Sequence, residues 1–264
     1  AMYPRRRRHL IRGDCKVEPT LHSVQVRGKP VPYQTMGEGD PVVLVHGLAA
    51  SSLWWLNNSP VLAKRHRVYL IDLPGFGALN RHRPLPLDLA DCWLLEWMRA
   101  AGIDRAHLVG HSMGGYICLR LAAHYPEMVD RLALVAPVGI PLQGSLLAHV
   151  IPLLIQAGPA TPSLLPLMLY DVLRTRPTAR WRTGLDILAE DARKYVGAIS
   201  APTLLIWGEN DPVIPTSSAE LMRREIPDCR LMLMRGTSHV PMFERPEEFN
   251  DALLRFLNGE QVGE

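Results

Sequence analysis

Between Ala106 and Ala123 the chain passes from a short apolar run into a helical pattern through Gly110-His111-Ser112-Met113-Gly114. Ala106 to Val109 reads as a buried strand, and the apolar spacing of Tyr116 to Ala123 reads as a helix. A G-x-S-x-G turn between a strand and a helix leaves few folds open, because side chains at 110 or 114 would collide with the neighbouring strand or helix. At such an elbow the serine takes a strained backbone conformation. Its Oγ projects from the sheet above a helix N-terminus, whose partial positive charge, with the N–H of Met113, suits a developing oxyanion. The same five residues also occur in chance glycine-rich turns. The strand before them and the helix after them favour a nucleophilic Ser112.

The rest of the chain has the rhythm this elbow requires. His22 to Arg27 and Val31 to Thr35 read as a hairpin joined through Gly28-Lys29-Pro30. Val42 to Val45 reads as a strand buried on both faces. A helix is expected over about 53–64, with Ser51 or Ser52 as its cap, then a strand from Arg67 to Leu73 and a helix from Leu85 to Ala101 capped by Asp88. Asp130 to Ala136, Pro202 to Trp207 and Arg230 to Met234 read as strands, Ser217 to Ile226 and Pro246 to Leu257 as helices. Alternation at this spacing predicts right-handed βαβ crossovers and a mostly parallel α/β sheet flanked by helices. The 264 residues suffice for one such domain with an insertion.

The insertion is expected after Pro137. From Val138 to Tyr170 there is no Asp, Glu, Lys or Arg. Pro141, Pro152, Pro159, Pro162 and Pro166 fall too often for a membrane-spanning helix, so no integral span is expected. Short helices over Leu146–Ile155 and Leu164–Leu173 predict a helical cap, residues 138–197, lying over the site. The core is then 19–137 with 198–264, and residues 1–18 form a basic arm. Arg5, Arg6, Arg7, Arg8 and Arg12 supply the whole positive excess, so the pI of about 8.8 reflects that arm and not a nucleic-acid-binding face. Arg12, Asp14, Lys16 and Glu18 break up any apolar run that an export signal would need. The four cysteines are scattered and match no metal-ligand spacing, which predicts a reducing, cytoplasmic setting.

A serine hydroxyl needs a base and an acid that orients the base. At this type of elbow they follow in the order Ser, Asp or Glu, His. Asp211 lies directly after a buried strand, and His239 in the loop after the last strand. In an open parallel sheet the carboxyl ends of the strands share one edge, so Ser112, Asp211 and His239 converge there. Glu209 is the rival acid, and Asp211 beside Pro212 could serve a turn instead. Of the other histidines, His149 in the apolar cap is a candidate for lining the pocket, with a structural role as the alternative. The second oxyanion donor is expected from the loop after Val45, at the N–H of Leu48. His46 is expected to brace that loop. Leu48, Met113, His149 and Val240 are the expected substrate contacts, with no metal.

These stretches together resemble the α/β-hydrolase superfamily: His46-Gly47, Asp72-Leu-Pro-Gly-Phe-Gly77, Gly110 to Gly115, Trp207-Gly-Glu-Asn-Asp-Pro212 and Gly236-Thr-Ser-His-Val240. They span about residues 20–258, and the nearest likeness is to bacterial carboxylesterases and lipases. The resemblance implies a Ser-Asp-His triad, an acyl-enzyme, and no cofactor. Serine at 112, where aspartate would mark haloalkane dehalogenases or epoxide hydrolases, argues against both. The uncharged cap predicts a small ester with an apolar acyl or alcohol group, the acyl group short to medium, and it also offers a dimer patch. A lipase with the cap as lid, a C–C bond hydrolase, a perhydrolase, a thioesterase, an acyltransferase and a non-enzymatic ligand receptor remain as alternatives on the same fold.

Overall fold

The computed structural model describes residues 18–141 and 162–263. The expected arm, the helix over Leu146–Ile155 and His149 lie outside these residues.

Eight strands form one sheet: β1 (Thr20–Val26), β2 (Lys29–Met36), β3 (Pro41–Val45), β4 (Arg67–Ile71), β5 (Ala106–His111), β6 (Val129–Val135), β7 (Thr203–Gly208) and β8 (Cys229–Met234). Their order is β1-β2-β4-β3-β5-β6-β7-β8. Strand β2 is antiparallel to β1 and β4, and every other pair is parallel. The described helices are α1 (Ser59–Leu62), α2 (Ala90–Ala100), α3 (Met113–His124), α4 (Leu165–Arg174), α5 (Pro177–Ala189), α6 (Thr216–Glu225), α7 (Pro241–Glu244) and α8 (Pro246–Leu257), and both faces of the sheet are covered. This is the expected α/β-hydrolase architecture.

The two faces divide the strand residues by alternation. Val43, Val45, Leu108, Leu134, Leu205 and Trp207 face one core, with Leu94 and Trp97 of α2, Ile117 and Leu121 of α3 and Met222 of α6. Val42, Leu44, Val109, Val135, Leu204 and Ile206 face the other, with Leu62 of α1 and Phe249, Leu253 and Phe256 of α8. A strand with apolar residues at every position therefore belongs between two helical layers. That is why Val42 to Val45 reads as an unbroken apolar run in the sequence.

Local readings differ in three places. The hairpin turn is Arg27-Gly28, since Val26 pairs with Lys29. Both turn residues have positive φ (50° and 71°), a two-residue turn whose twist matches that of the strands. The expected helix over 53–64 is broken into a 3-10 turn, Ser52–Trp55, and the four-residue α1. Pro60 supplies no N–H for a continuous ladder, and the Asn58 amide donates instead to Met242 O at 2.9 Å and Asn250 Oδ1 at 2.8 Å. Ser51 stands at the cap position of the 3-10 turn but makes no side-chain cap bond, its Oγ donating to Asp171 instead, and Ser52 is the first residue of the turn, its N–H held by Asp72 Oδ1 at 2.6 Å. Nor does Asp88 cap α2. It sits in a separate 3-10 turn, Leu87–Leu89, and Leu89 occupies the cap position.

Between β6 and β7 the described chain forms α4, α5 and three 3-10 turns, so the expected helix over Leu164–Leu173 is α4 to within a residue. Among the described residues, no helix is long and apolar enough to cross a membrane.

Candidate active site

Strand β5 stops at His111 and α3 starts at Met113, leaving Ser112 alone at the corner with φ 53° and ψ −115°. A non-glycine residue there is strained, and the surroundings hold it in place. Its N–H donates to Val135 O of β6 at 2.8 Å, and its carbonyl accepts from the Tyr116 N–H at 3.1 Å. The flanking glycines are required by space. A Cβ on Gly110 would lie 2.4 Å from Gly114 O, and one on Gly114 would lie 2.5 Å from both His46 O and Val45 O. Ser112 is fully buried, and its Oγ has no hydrogen-bond partner. Met113 is the first residue of α3, where an N–H has no acceptor within the helix.

Asp211 and His239 are brought together from the loops after β7 and β8. The two loops are stitched by Asn210 N–H to Thr237 O at 2.9 Å, and a Cβ on Gly208 would lie 1.9 Å from Ser238 O. His239 Nδ1 lies 2.8 Å from Asp211 Oδ2. The other oxygen, Oδ1, accepts from the Val213 and Ile214 N–H groups at 2.8 and 2.9 Å, so the acid is fully engaged and cannot rotate. Both side chains are buried, Asp211 completely. His239 Nε2 is buried with no partner, as is Ser112 Oγ; no hydrogen bond joins the two. Glu209 turns away, accepting from the Gly236 N–H at 3.0 Å.

The loop after β3 lies against the serine: a Cβ on Gly47 would be 3.2 Å from Ser112 Cβ. His46 clamps this loop. Its Nδ1–H donates to Gly47 O at 2.8 Å and its Nε2 accepts from the Leu73 N–H at 3.0 Å. Burial lowers its basicity, only partly offset by Asp72 and the bond to Gly47, so the ring is a neutral brace. Leu48 is fully buried in the same apolar cluster as Met113. Asp72 ties two loops, accepting from Ser52 N–H through one oxygen and from Ala78 N–H at 2.7 Å through the other. Val240 is buried in the opposite apolar cluster, with Trp54 and Met168. A cavity of about 20 Å³ adjoins Met113, walled by Leu73, Phe76, Leu87 and Ile117, with Thr183 of α5 at its rim. The Thr183 hydroxyl is buried there without a partner.

Two groups beside the site have no role that the sequence alone assigns. His111 Nε2–H donates to His239 O at 2.9 Å, and the two rings lie 4.9 Å apart. Burial, then the charge of His239, pushes His111 well below the usual imidazole range, so it stays neutral. The second is Asp171 of α4, only 1% exposed. Its Oδ2 accepts from Trp54 Nε1 at 2.8 Å and Ser51 Oγ at 3.0 Å; its Oδ1 is buried without a partner. Burial pushes its carboxyl up to about 7, against the pull of those two hydrogen bonds. One signal in the sequence points to it. Asp171 is the first charge after the uncharged stretch, and it falls at helical spacing from the apolar Leu164 and Met168, on a face that packs inward.

The sequence model of the Alpha/beta hydrolase family matches residues 42–252, from β3 into α8. The chain belongs to the alpha/beta hydrolase family. Among curated members, it is 29% identical to the pimeloyl-[acyl-carrier protein] methyl ester esterase of Aeromonas hydrophila over 253 residues, 86% of this chain and 99% of that protein. It is 32% identical to the dihydrolipoyllysine-residue acetyltransferase component of the acetoin cleaving system of Pseudomonas putida, covering 90% of this chain and 70% of that one. Among solved structures, a bacterial membrane phospholipase A superposes with a TM-score of 0.79 at 30% identity, over 91% of this chain and 86% of that one. The hydrolase and esterase relatives of this alpha/beta hydrolase make hydrolysis its general chemistry.

Proposed function

We propose that the protein is a serine hydrolase that cleaves carboxylic esters through an acyl-enzyme on Ser112. His239 Nε2 takes the Ser112 proton as Oγ attacks the ester carbonyl, and the carbonyl oxygen becomes an oxyanion. The Met113 and Leu48 N–H groups stabilise that charge, each donor contributing about 2.7–4 kcal/mol in the transition state. Collapse expels the alcohol, which leaves with the proton from His239. Water then repeats the sequence, releasing the carboxylic acid and restoring Ser112. Asp211 holds the imidazole in the tautomer that leaves Nε2 free, and it stabilises the imidazolium.

The observation that carries this reading is the fully engaged Asp211–His239 pair beside a strained serine at a helix N-terminus. Residues 138–197 act in this reading as a cap over the site. Their lack of charge up to Tyr170, and the apolar walls beside Met113, favour an apolar acyl group. The relatives described above act on a methyl ester, on an acetyl group and on a phospholipid by name, which fits acyl chemistry on a shared scaffold. The test is a series of nitrophenyl esters from acetate to palmitate. Turnover is expected for short-to-medium chains and is expected to vanish in Ser112→Ala. Undiminished turnover in that variant, or none in the wild type, overturns the proposal.

A further inference from the structure

We propose that Asp171 is a positioning residue for the base: it anchors the Trp54 indole, Trp54 holds His111, and His111 holds His239. This inference rests on the reading of His239 as general base. The contacts form one continuous line. Asp171 Oδ2 accepts the indole N–H at 2.8 Å and shares the same oxygen with Ser51 Oγ, so the carboxyl grips two points of the loop after β3. The Trp54 ring stacks on His111, with centroids 6.0 Å apart and planes inclined by 26°. His111 is in turn hydrogen-bonded to the His239 carbonyl, and its ring packs on the imidazole at 4.9 Å. On its other side, His111 is closed in by Gly47, where a Cβ would come within 2.9 Å of Nδ1.

Among the described residues no Lys or Arg pairs with Asp171, so it is not half of a buried salt bridge. Its burial is better accounted for by the two donors it holds. It is carried on α4, in the segment between β6 and β7, whereas everything it acts on belongs to the α/β core. The contact therefore makes the placement of the imidazole depend on how α4 is seated. Asn80 Nδ2 donating to Arg174 O at 3.2 Å is a second stitch at the end of the same helix. A reacting group displaced by about 1 Å loses up to about a hundredfold in rate, so a tether two contacts away from the base is enough to be read in kcat.

The test measures kcat and KM separately on the best nitrophenyl ester for Asp171→Ala, Asp171→Asn, Trp54→Phe and the Asp171→Ala/Trp54→Phe pair. Phenylalanine keeps an aromatic ring on this position and removes the tethered N–H together with part of the indole. Asparagine keeps an oxygen that accepts both donors. The expectation is that Asp171→Ala and Trp54→Phe each lower kcat about ten- to a hundredfold with KM within about twofold. The pair is expected to lose no more than the worse single change, and Asp171→Asn to recover most of the loss. Losses carried by KM, losses that multiply in the pair, or singles with wild-type kcat overturn the inference. A second readout is independent of turnover: the downfield Nδ1–H proton resonance of His239 should move in Asp171→Ala and Trp54→Phe and stay in place in Asp171→Asn. If the wild type turns over no ester, the esterase reading fails by itself. An unmoved resonance in Trp54→Phe, which lacks the tethered N–H, would sink the tether whatever the substrate.

Discussion

His239 meets Asp211 through Nδ1 at 2.8 Å, while the second carboxylate oxygen of Asp211 is taken up by the Val213 and Ile214 N–H groups. This double engagement sharpens what an amide at 211 would do. With the amide carbonyl turned to the two backbone donors, its NH2 group would face His239 and force the ring proton onto Nε2, the atom that acts as base in the proposed mechanism. Asp211→Asn is therefore expected to cut kcat by on the order of 10⁴. Glu209→Gln should leave kcat within about threefold, because that exposed carboxylate is turned to the Gly236 N–H and not to His239. Hydrolysis of a nitrophenyl ester by the two variants checks the assignment. Near-full activity in Asp211→Asn would transfer the role elsewhere.

Gly110→Ala is expected to destabilise the fold by about 3 kcal/mol or more and to abolish activity, since its Cβ would be driven into the backbone of Gly114 and Gly115. Gly197→Ala is the matched control. Its Cβ meets nothing within 4 Å, and its backbone is not in the left-handed region, so its effect should stay within about 0.5 kcal/mol. Urea unfolding of both variants provides the comparison.

The parts of the site that are legible in the sequence are those whose chemistry forces a local pattern. Gly110 and Gly114 are spelled out because no other residue fits the elbow, and Asp211 and His239 because each follows a strand with an apolar run. Glu209 can be told from Asp211 only by seeing which carboxylate the loop turns inward. The apolar spacing over 53–64 is genuine, yet Pro60 and the Asn58–Asn250 bond hold the backbone away from one continuous helix. Asp88 and the serines at 51 and 52 have the right chemistry for caps, but Asp171 claims the Ser51 hydroxyl and Asp72 the Ser52 N–H. Asp171 illustrates the converse. Its partners Ser51 and Trp54 lie far away in the chain, and only its place on an apolar helical face hints that it is buried.

Acid should weaken the fold through two histidines at the opposite end of β5. His66 and His107 are 4% and 7% exposed, with rings meeting edge-on at 5.8 Å. Burial pushes His107 down to about 4 and lowers His66 as well. In the unfolded chain both take up a proton near 6.5. Between about 6.5 and 4 the unfolded state therefore binds more protons, and stability drops as pH falls through that window, by up to about 3 kcal/mol for His107. His107→Gln should flatten the pH dependence of Tm between those limits and leave it unchanged above pH 7. An unaltered slope would show that His107 is protonated in the fold as easily as in the unfolded chain.

Arg120 of α3 is 6% exposed and joins three elements. It donates to Tyr195 Oη at 2.9 Å and to Asp88 O at 2.7 Å, and lies 3.4 Å from the fully buried Asp91. Arg120→Met would leave Asp91 with only the His124 ring beside it. A loss of about 3–5 kcal/mol is expected, read as a lower denaturant midpoint at unchanged slope. The double change Arg120→Met/Asp91→Leu should regain much of it, because the uncompensated charge goes too.

Strands β6 and β7 lie side by side in parallel, and the Ala136 N–H reaches Ile206 O at 3.0 Å just where the intervening segment departs. Its two stems thus leave and rejoin the sheet at neighbouring strands, so closing a longer or shorter excursion between them changes the entropy of closure only logarithmically. Such an excursion works as an exchangeable module. Evolution or a protein engineer could graft a different one onto the same pair of stems and retarget the enzyme while Ser112, Asp211 and His239 stay on strands and loops outside it. Among the contacts such a graft has to rebuild are those of Asp171 with Trp54 and Ser51 and of Arg174 with Asn80.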